Sequence, residues 1–300
     1  MSRLLPVMSQ NDYLEELIAQ IAQHFAKSDN KGDYVEPVDG LVLIRHSHPS
    51  HVESFLYEPV ACLILQGRKE TTVGDRTVSF GPGESLIVSH ELPVTSQVTE
   101  ASPDCPYIAL ALTLDLGLLR GLYGQMSSLV LDSEEARSID VHRTDVALQN
   151  ALSRYLNVLS EPRESAVLGP LALQEIHYRL LLAPHGAMLR QLLWHDSHAN
   201  SIARAISSIR RDYKSPLVMS ELARSVGMST SAFHTHFKSV TETTPLQYQK
   251  DLRLLEAKRL LLEERTTVSA VAFEVGYGSA AQFSREYSRK FGVPPSEEAR

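Results

Sequence analysis

Cysteine is scarce: the 300-residue chain has only Cys62 and Cys105, which excludes a small scaffold stapled by disulfides. No uninterrupted apolar run approaches the roughly 20 residues that a membrane span requires. No charged-then-apolar leader opens the sequence, so the reading is a cytoplasmic protein, kept reduced and without a membrane partner. With 43% apolar residues in 300, the chain can bury a sizeable core, and its length suits two domains.

Charge divides those domains. Residues 196–300 carry 15 Lys and Arg against 12 Asp and Glu, a net +3, which leaves −10 on residues 1–195. A polyanionic partner is therefore compatible with the C-terminal third and not with the acidic body.

The apolar pattern changes period along the chain. Residues 11–26 space Leu14, Leu17, Ile18, Ile21 and Phe25 as one face of a helix. From Gly40 to about Leu114, short β-branched runs are punctuated by Gly67, Gly74-Asp75 and Gly81-Pro82-Gly83, the signature of a small antiparallel barrel or jelly roll that can enclose a ligand. Helical spacing returns in residues 145–159 and 168–193. These helices have apolar surface to pack on the barrel and a face to spare, which is either an ordinary covering layer or the contact of a homodimer. The polar stretch Leu193–Ser201 reads as a linker, so the boundary falls between residues 195 and 196. The expected class is α+β: an N-terminal cupin-like β-barrel with helices over 1–195, and an all-α domain over 196–300.

That second domain repeats itself. Leu222-Ala223 recurs as Val271-Ala272 and Gly227 as Gly276, both 49 residues on, and Phe237 recurs as Tyr287, 50 residues on. Each copy reads as helix, glycine-containing turn, helix, the layout that places its second helix in a DNA major groove. In the first copy Phe233 and Phe237 face the core, leaving Ser231, His234, Thr235 and Lys238 outward. In the second, Phe283 and Tyr287 face the core, and Ala280, Ala281, Ser284 and Arg285 form the outward stripe. Arg285 suits guanine O6 and N7, and the alanine methyls suit a thymine methyl. Arg289 and Lys290, at the helix end, suit phosphate. Between the copies, Pro245–Glu264 reads as a helix of about 30 Å, close to the roughly 34 Å between successive major grooves on one face of B-DNA. The repetition acts as a ruler for promoter double-stranded DNA.

These motifs, "LARSVGMSTSAFHTHFK", the linker helix and "VAFEVGYGSAAQFSREYSRKFGVPP", resemble the DNA-binding domain of bacterial AraC-type transcriptional regulators over about 100 residues. His234-Thr235-His236 and Tyr287 depart from the family's commoner residues. The segment from Tyr57 to Asp115 is similar to the family's cupin-like regulatory domain. The resemblance implies a regulator, more often an activator, that senses a small molecule and works through RNA polymerase.

A competing reading is a catalytic cupin fused to a DNA-binding tail. His46, His48 and His51 supply imidazoles, but the segment before Gly67 lacks the paired histidines of a metal-binding cupin, and His90 has no matching pair. No catalytic residue, metal or cofactor is assigned. Tyr57, Cys62 and Gln66 are the effector-contact candidates, although alternation alone leaves open which face of "VACLILQG" points inward.

Overall fold

The structure, a computed structural model, describes residues 10–28, 32–126, 136–263 and 266–298. Its strands form two antiparallel sheets. Six make the larger, in the order β1 (Tyr34–Val38), β2 (Leu41–His46), β9 (Tyr107–Thr113), β4 (Val60–Gln66), β7 (Glu84–Val88), β10 (Ile139–Arg143). The smaller runs β3 (Glu53–Tyr57), β8 (Leu92–Glu100), β5 (Arg68–Val73), β6 (Arg76–Phe80).

Alternation assigns the faces. Cys62 and Ile64 of β4 join Val73, Phe80, Val94, Val98 and Ala109 between the sheets. Ala61, Leu63 and Leu65 point the other way and pack with Leu17, Ile21, Leu119, Leu152 and Leu180 of the covering helices. Those helices are α1 (Gln10–Lys27), α2 (Leu116–Gln125), α3 (Val146–Leu159), α4 (Pro162–Leu182) and α5 (Ala187–Leu193). The run "VACLILQ" is thus apolar on both faces because both are covered, each fully buried aliphatic side chain being worth about 1.5–3 kcal/mol.

The C-terminal helices have two cores of their own. The first joins Ile202, Ile206 and Ile209 of α6 (His198–Arg211) to Leu222 of α7 (Met219–Ser225), Phe233 and Phe237 of α8 (Thr230–Thr241), and Tyr248 and Leu252 of α9 (Pro245–Glu263). In the second, Leu254, Ala257, Leu260 and Leu261 of α9 meet Val271 of α10 (Val268–Glu274), and Phe283 and Tyr287 of α11 (Ala280–Phe291). The short α12 (Pro295–Glu298) follows, its Glu298 carboxylate accepting from the Tyr287 hydroxyl. The linker helix is therefore more than a free rod, since each of its halves belongs to one module.

The barrel and first module touch. Tyr248 Oη donates to the Glu91 carbonyl at 2.9 Å, Arg210 pairs with the Glu91 carboxylate, and Leu56 packs on the first module's core. Gly74 (φ 54°) sits so close to Glu242 that a Cβ there would lie 2.1 Å from its carbonyl oxygen, so a side chain would push the hairpin off α8.

His90 and His185 are buried neutral where the barrel meets helices. His90 Nε2 donates to the Ala199 carbonyl at 3.1 Å while Nδ1 accepts from Ser89 Oγ at 2.8 Å. His185 contacts Ser85 Oγ at 2.9 Å. Burial lowers each to about 4. The unfolded chain binds these protons near pH 6.5 and the folded chain only near 4, so stability is fully present above 6.5 and is lost as pH falls toward 4. Between pH 7 and 5 the loss is about 2 kcal/mol per histidine. Urea unfolding at the two pH values checks this: His90→Gln should reduce the difference by about that amount, and an unchanged difference would refute the assignment.

Candidate nucleic-acid interface and barrel cavity

The two second helices are built alike. Gly227 (φ 75°) and Gly276 (φ 89°) turn the chain. Ser229 Oγ then accepts from the Ala232 amide at 3.3 Å, and Ser279 Oγ from the Gln282 amide at 3.4 Å. Each serine caps one of the orphan N–H groups of its helix.

On α8, Ser231, His234, Thr235 and Lys238 are all exposed, opposite the fully buried Phe233 and Phe237. Thr235 Oγ1 donates to the Ser231 carbonyl at 3.2 Å, which leaves the hydroxyl's lone pairs outward. His236 leaves the stripe to stack on His198, ring centroids 3.7 Å apart.

On α11, Ala281, Arg285 and Arg289 are exposed, whereas Ala280 and Ser284 are half-buried. Ala280 packs on the second core, and Ser284 Oγ donates to the Ala280 carbonyl at 2.9 Å, so these two edge the stripe. Arg285 and Arg289 have no hydrogen bond or ion pair among the described residues, which leaves both guanidinium groups available. Lys290, in contrast, is committed to Asp251 at 2.5 Å. Sequence reasoning passed over Gln282, which is exposed beside Arg285 and donates to Glu286 at 3.1 Å. A glutamine next to a core phenylalanine on a reading helix is the signal, because its amide can pair with adenine. Burial opposes the charge of Glu286, yet hydrogen bonds from Gln282, Lys250 and Tyr277 hold its carboxyl below the ordinary range. It anchors α11 to α9.

Arg253 sets the relation between the two reading helices. Its guanidinium donates to the carbonyls of Tyr213 (2.8 Å), Lys214 (2.9 Å), Ser215 (3.2 Å) and Gly276 (2.9 Å). The first three close the first module and the last is the turn of the second. Gly276 packs so tightly that a Cβ would lie 2.3 Å from the Lys214 carbonyl oxygen.

In the barrel, Tyr57 and Cys62 point between the sheets. An irregularity in the pairing between Ile64 and Gln66 puts Gln66 opposite Ile108 of the helix-facing core, and its Nε2 donates to the Pro106 carbonyl at 2.7 Å. A cavity of about 40 Å³ opens between the sheets and is lined by Lys69, Phe55, Ser96, Tyr107 and neighbours. Lys69 was not singled out from the sequence. His46 pairs with Asp33 at 3.2 Å, while His48 and His51 are exposed. Among the described residues no three metal-ligating side chains gather, and no helix is long and apolar enough to cross a membrane.

Residues 37–188 match the sequence family described as the AraC-type transcriptional regulator N-terminus, and residues 222–300 match a helix-turn-helix domain. The HTH-type transcriptional regulator ExsA of Pseudomonas aeruginosa is 24% identical over 237 residues, covering 78% of this chain and 83% of its own length. The virulence regulon transcriptional activator VirF of Yersinia enterocolitica is 24% identical over 235 residues, covering 78% and 86%. Among solved structures, unsaturated-fatty-acid-bound ToxT of Vibrio cholerae superposes with a TM-score of 0.53 at 10% identity, covering 88% of this chain and 96% of its own. That likeness is one of fold.

Proposed function

This chain belongs to the AraC-type transcriptional regulators, and we propose that it reads promoter DNA with the exposed faces of α8 and α11 while the barrel binds a small-molecule effector. The observation that carries the DNA reading is the matched pair of capped helices. Each buries an aromatic pair on one face and offers unengaged polar or basic side chains on the other. Ser231, His234, Thr235 and Lys238 serve the first groove, and Ala281, Arg285 and Arg289 the second, with Ala280 and Ser284 at its edge. VirF is an activator by name, which supports activation here and with it a contact to RNA polymerase. We assign no catalytic step and place the protein in the cytoplasm, where its DNA is. Effector binding shifts the population between arrangements of barrel and first module, through the contacts at Glu91 and Gly74.

A second copy of the chain fits on α4. Val167, Leu171, Tyr178 and Leu182 are exposed there along one face of the helix. About a two-fold axis through the Gln174–Glu175 step, Val167 meets Leu182 and Leu171 meets Tyr178, the self-complementarity that an isologous dimer requires. Glu175 is already neutralised by Arg154 and Arg179. Sedimentation equilibrium reads this directly, and a monomer at micromolar concentration would refute it.

The DNA reading is tested at Arg285. Arg285→Ala should weaken operator binding by about 1–3 kcal/mol, with a smaller loss on random DNA, because a bidentate base contact carries discrimination. Fluorescence anisotropy on both DNAs decides: equal losses would make Arg285 a phosphate contact, and no loss would remove it from the interface.

A further inference from the structure

We propose that the cavity between the sheets is a carboxylate site, with the carboxylate held by the Lys69 ammonium and the Tyr107 hydroxyl, and with Tyr57 positioning the ammonium. This rests on the barrel's role as sensor and names the chemistry of what it senses.

Lys69 lies on β5 with the parity of Thr71 and Val73, which are buried between the sheets. Among the described residues its ammonium has a single hydrogen-bond partner, Tyr57 Oη at 2.9 Å. Two of its three donors therefore have no protein acceptor, and no carboxylate pairs with it among the described residues. Other inward-held cations are matched, Lys290 by Asp251 and Arg253 by four carbonyls. Burial works against the charge on Lys69, but the Tyr57 and Cys62 side chains outweigh it and raise its pKa, so the ammonium stays charged.

The second observation is independent. Tyr107 is 1% exposed, and its hydroxyl has no hydrogen-bond partner among the described residues. The Cys62 thiol lies close enough to interact with it electrostatically, but makes no hydrogen bond of good geometry to it, and a thiol is only a weak partner. A buried hydroxyl without a partner is costly, and this one lines the same cavity as Lys69. Tyr57 Oη is fixed by Ser96 Oγ at 3.1 Å, itself held by Thr71 Oγ1 at 2.9 Å. The donors are thus preorganised around an acceptor that the protein does not supply.

An anion satisfies that set better than a neutral acceptor, since charge-assisted hydrogen bonds are roughly twice as strong. The cavity of about 40 Å³ holds only about three water-sized groups, which suits a carboxylate and its first carbon. The half-exposed Phe55 stands at the mouth, where the remainder of a longer acid would lie. Glu53, on the rim, is exposed and leaves the interior charge to Lys69.

The test uses the intact protein with acetate, propionate and butyrate, their neutral amides and inorganic phosphate, at constant ionic strength. Calorimetry and thermal shift should show saturable binding of the acids, at least tenfold weaker for the amides. Lys69→Met should weaken acid binding at least tenfold, Tyr107→Phe should weaken it severalfold, and Lys69→Arg should retain part of it. Circular dichroism and operator binding check that each variant is folded. If Lys69→Met fails to fold, the Tyr107→Phe comparison decides alone. The proposal is overturned if no acid binds, if phosphate binds and the acids do not, or if the variants bind acids as the parent does. Amides that bind as well as the acids would leave the barrel a sensor and remove the carboxylate.

Discussion

Arg253→Ala is expected to lose on the order of a hundredfold in affinity for a full operator while each helix-turn-helix core stays packed. The two reading helices are useful together only if their separation and rotation are fixed. Two linked sites gain a factor of about 10²–10⁴ over either alone when the linkage matches the span, and lose it when it does not. The α9 helix runs unbroken through both modules, the first reaching it as far as Leu252 and the second joining it from Leu254, so what is left to fix is how each module's loops sit against it. Between them stands Arg253, whose guanidinium bridges the loop carbonyls of Tyr213, Lys214 and Ser215 to that of Gly276. Alanine removes every one of these bonds; the Tyr213 and Ser215 carbonyls keep the Gln249 amide, but those of Lys214 and Gly276 must find water, at about 1–3 kcal/mol for each that stays buried. The Lys214–Glu274 ion pair is too exposed to replace them. Phe233, Phe237, Phe283 and Tyr287 do not touch the change. Anisotropy on a full operator and on a DNA carrying one half-site separates the outcomes. The variant should match the parent on the half-site and fall behind on the full site. Equal affinity on the full operator would mean that α9 and the DNA set the spacing without Arg253.

Much of this architecture is legible in the sequence because it obeys local rules. The 49-residue offset between Gly227 and Gly276 marks two turns that need positive φ, and both have it. The aromatic pairs four apart define the buried face of each reading helix, which leaves the polar stripe by subtraction. The strands announce themselves through glycine-punctuated β-branched runs, in a family whose regulatory domain matches residues 37–188. The features that escaped depend on partners distant in the chain. An arginine in a linker helix reads as a solvated or phosphate-facing charge, and only the fold brings Arg253 to carbonyls 23–40 residues away. Lys69 sits in "GRKETTVG", polar enough to read as exposed, and its inward direction follows only from the register that buries Thr71 and Val73. For β4 no alternation could choose a face, because helices cover one side and the second sheet covers the other. Lys290 reads as a phosphate contact until Asp251, 39 residues earlier, is found beside it.

A fragment beginning at Asp196 should fold by itself and bind operator DNA, whereas residues 1–195 should show no DNA binding at all. The start matters: Ser197 Oγ accepts from the Asn200 amide at 2.9 Å and caps α6, and loss of such a cap costs about 1 kcal/mol. From α6 onward the side chains of both helical cores come from the fragment itself, except for Leu56 of the barrel, which is only partly buried against the first. What the cut removes is modest. The Tyr248–Glu91 hydrogen bond is worth about 0.5–1.5 kcal/mol, those of His90 with Ala199, Ser197 with Gln191, Asn200 with Leu192 and Ser138 with Val240 a similar amount each, and the Arg210–Glu91 pair is partly exposed and screened. Against this stand two buried aromatic clusters, each aromatic residue worth about 3–5 kcal/mol if truncated. The fragment carries the net +3 and the unpaired Arg285 and Arg289, so its affinity should fall steeply with salt as phosphate contacts release counterions. The N-terminal fragment carries −10 and repels the same polyanion. Any effector that raises the melting temperature of the intact chain should raise that of the N-terminal fragment alone, because the site proposed for it lies wholly between the sheets. Anisotropy against salt and thermal shift on the two fragments measure both halves of this division. An effector that protected only the C-terminal fragment would move sensing out of the barrel, and a C-terminal fragment that failed to fold would make the contacts at Glu91 and Leu56 part of its core.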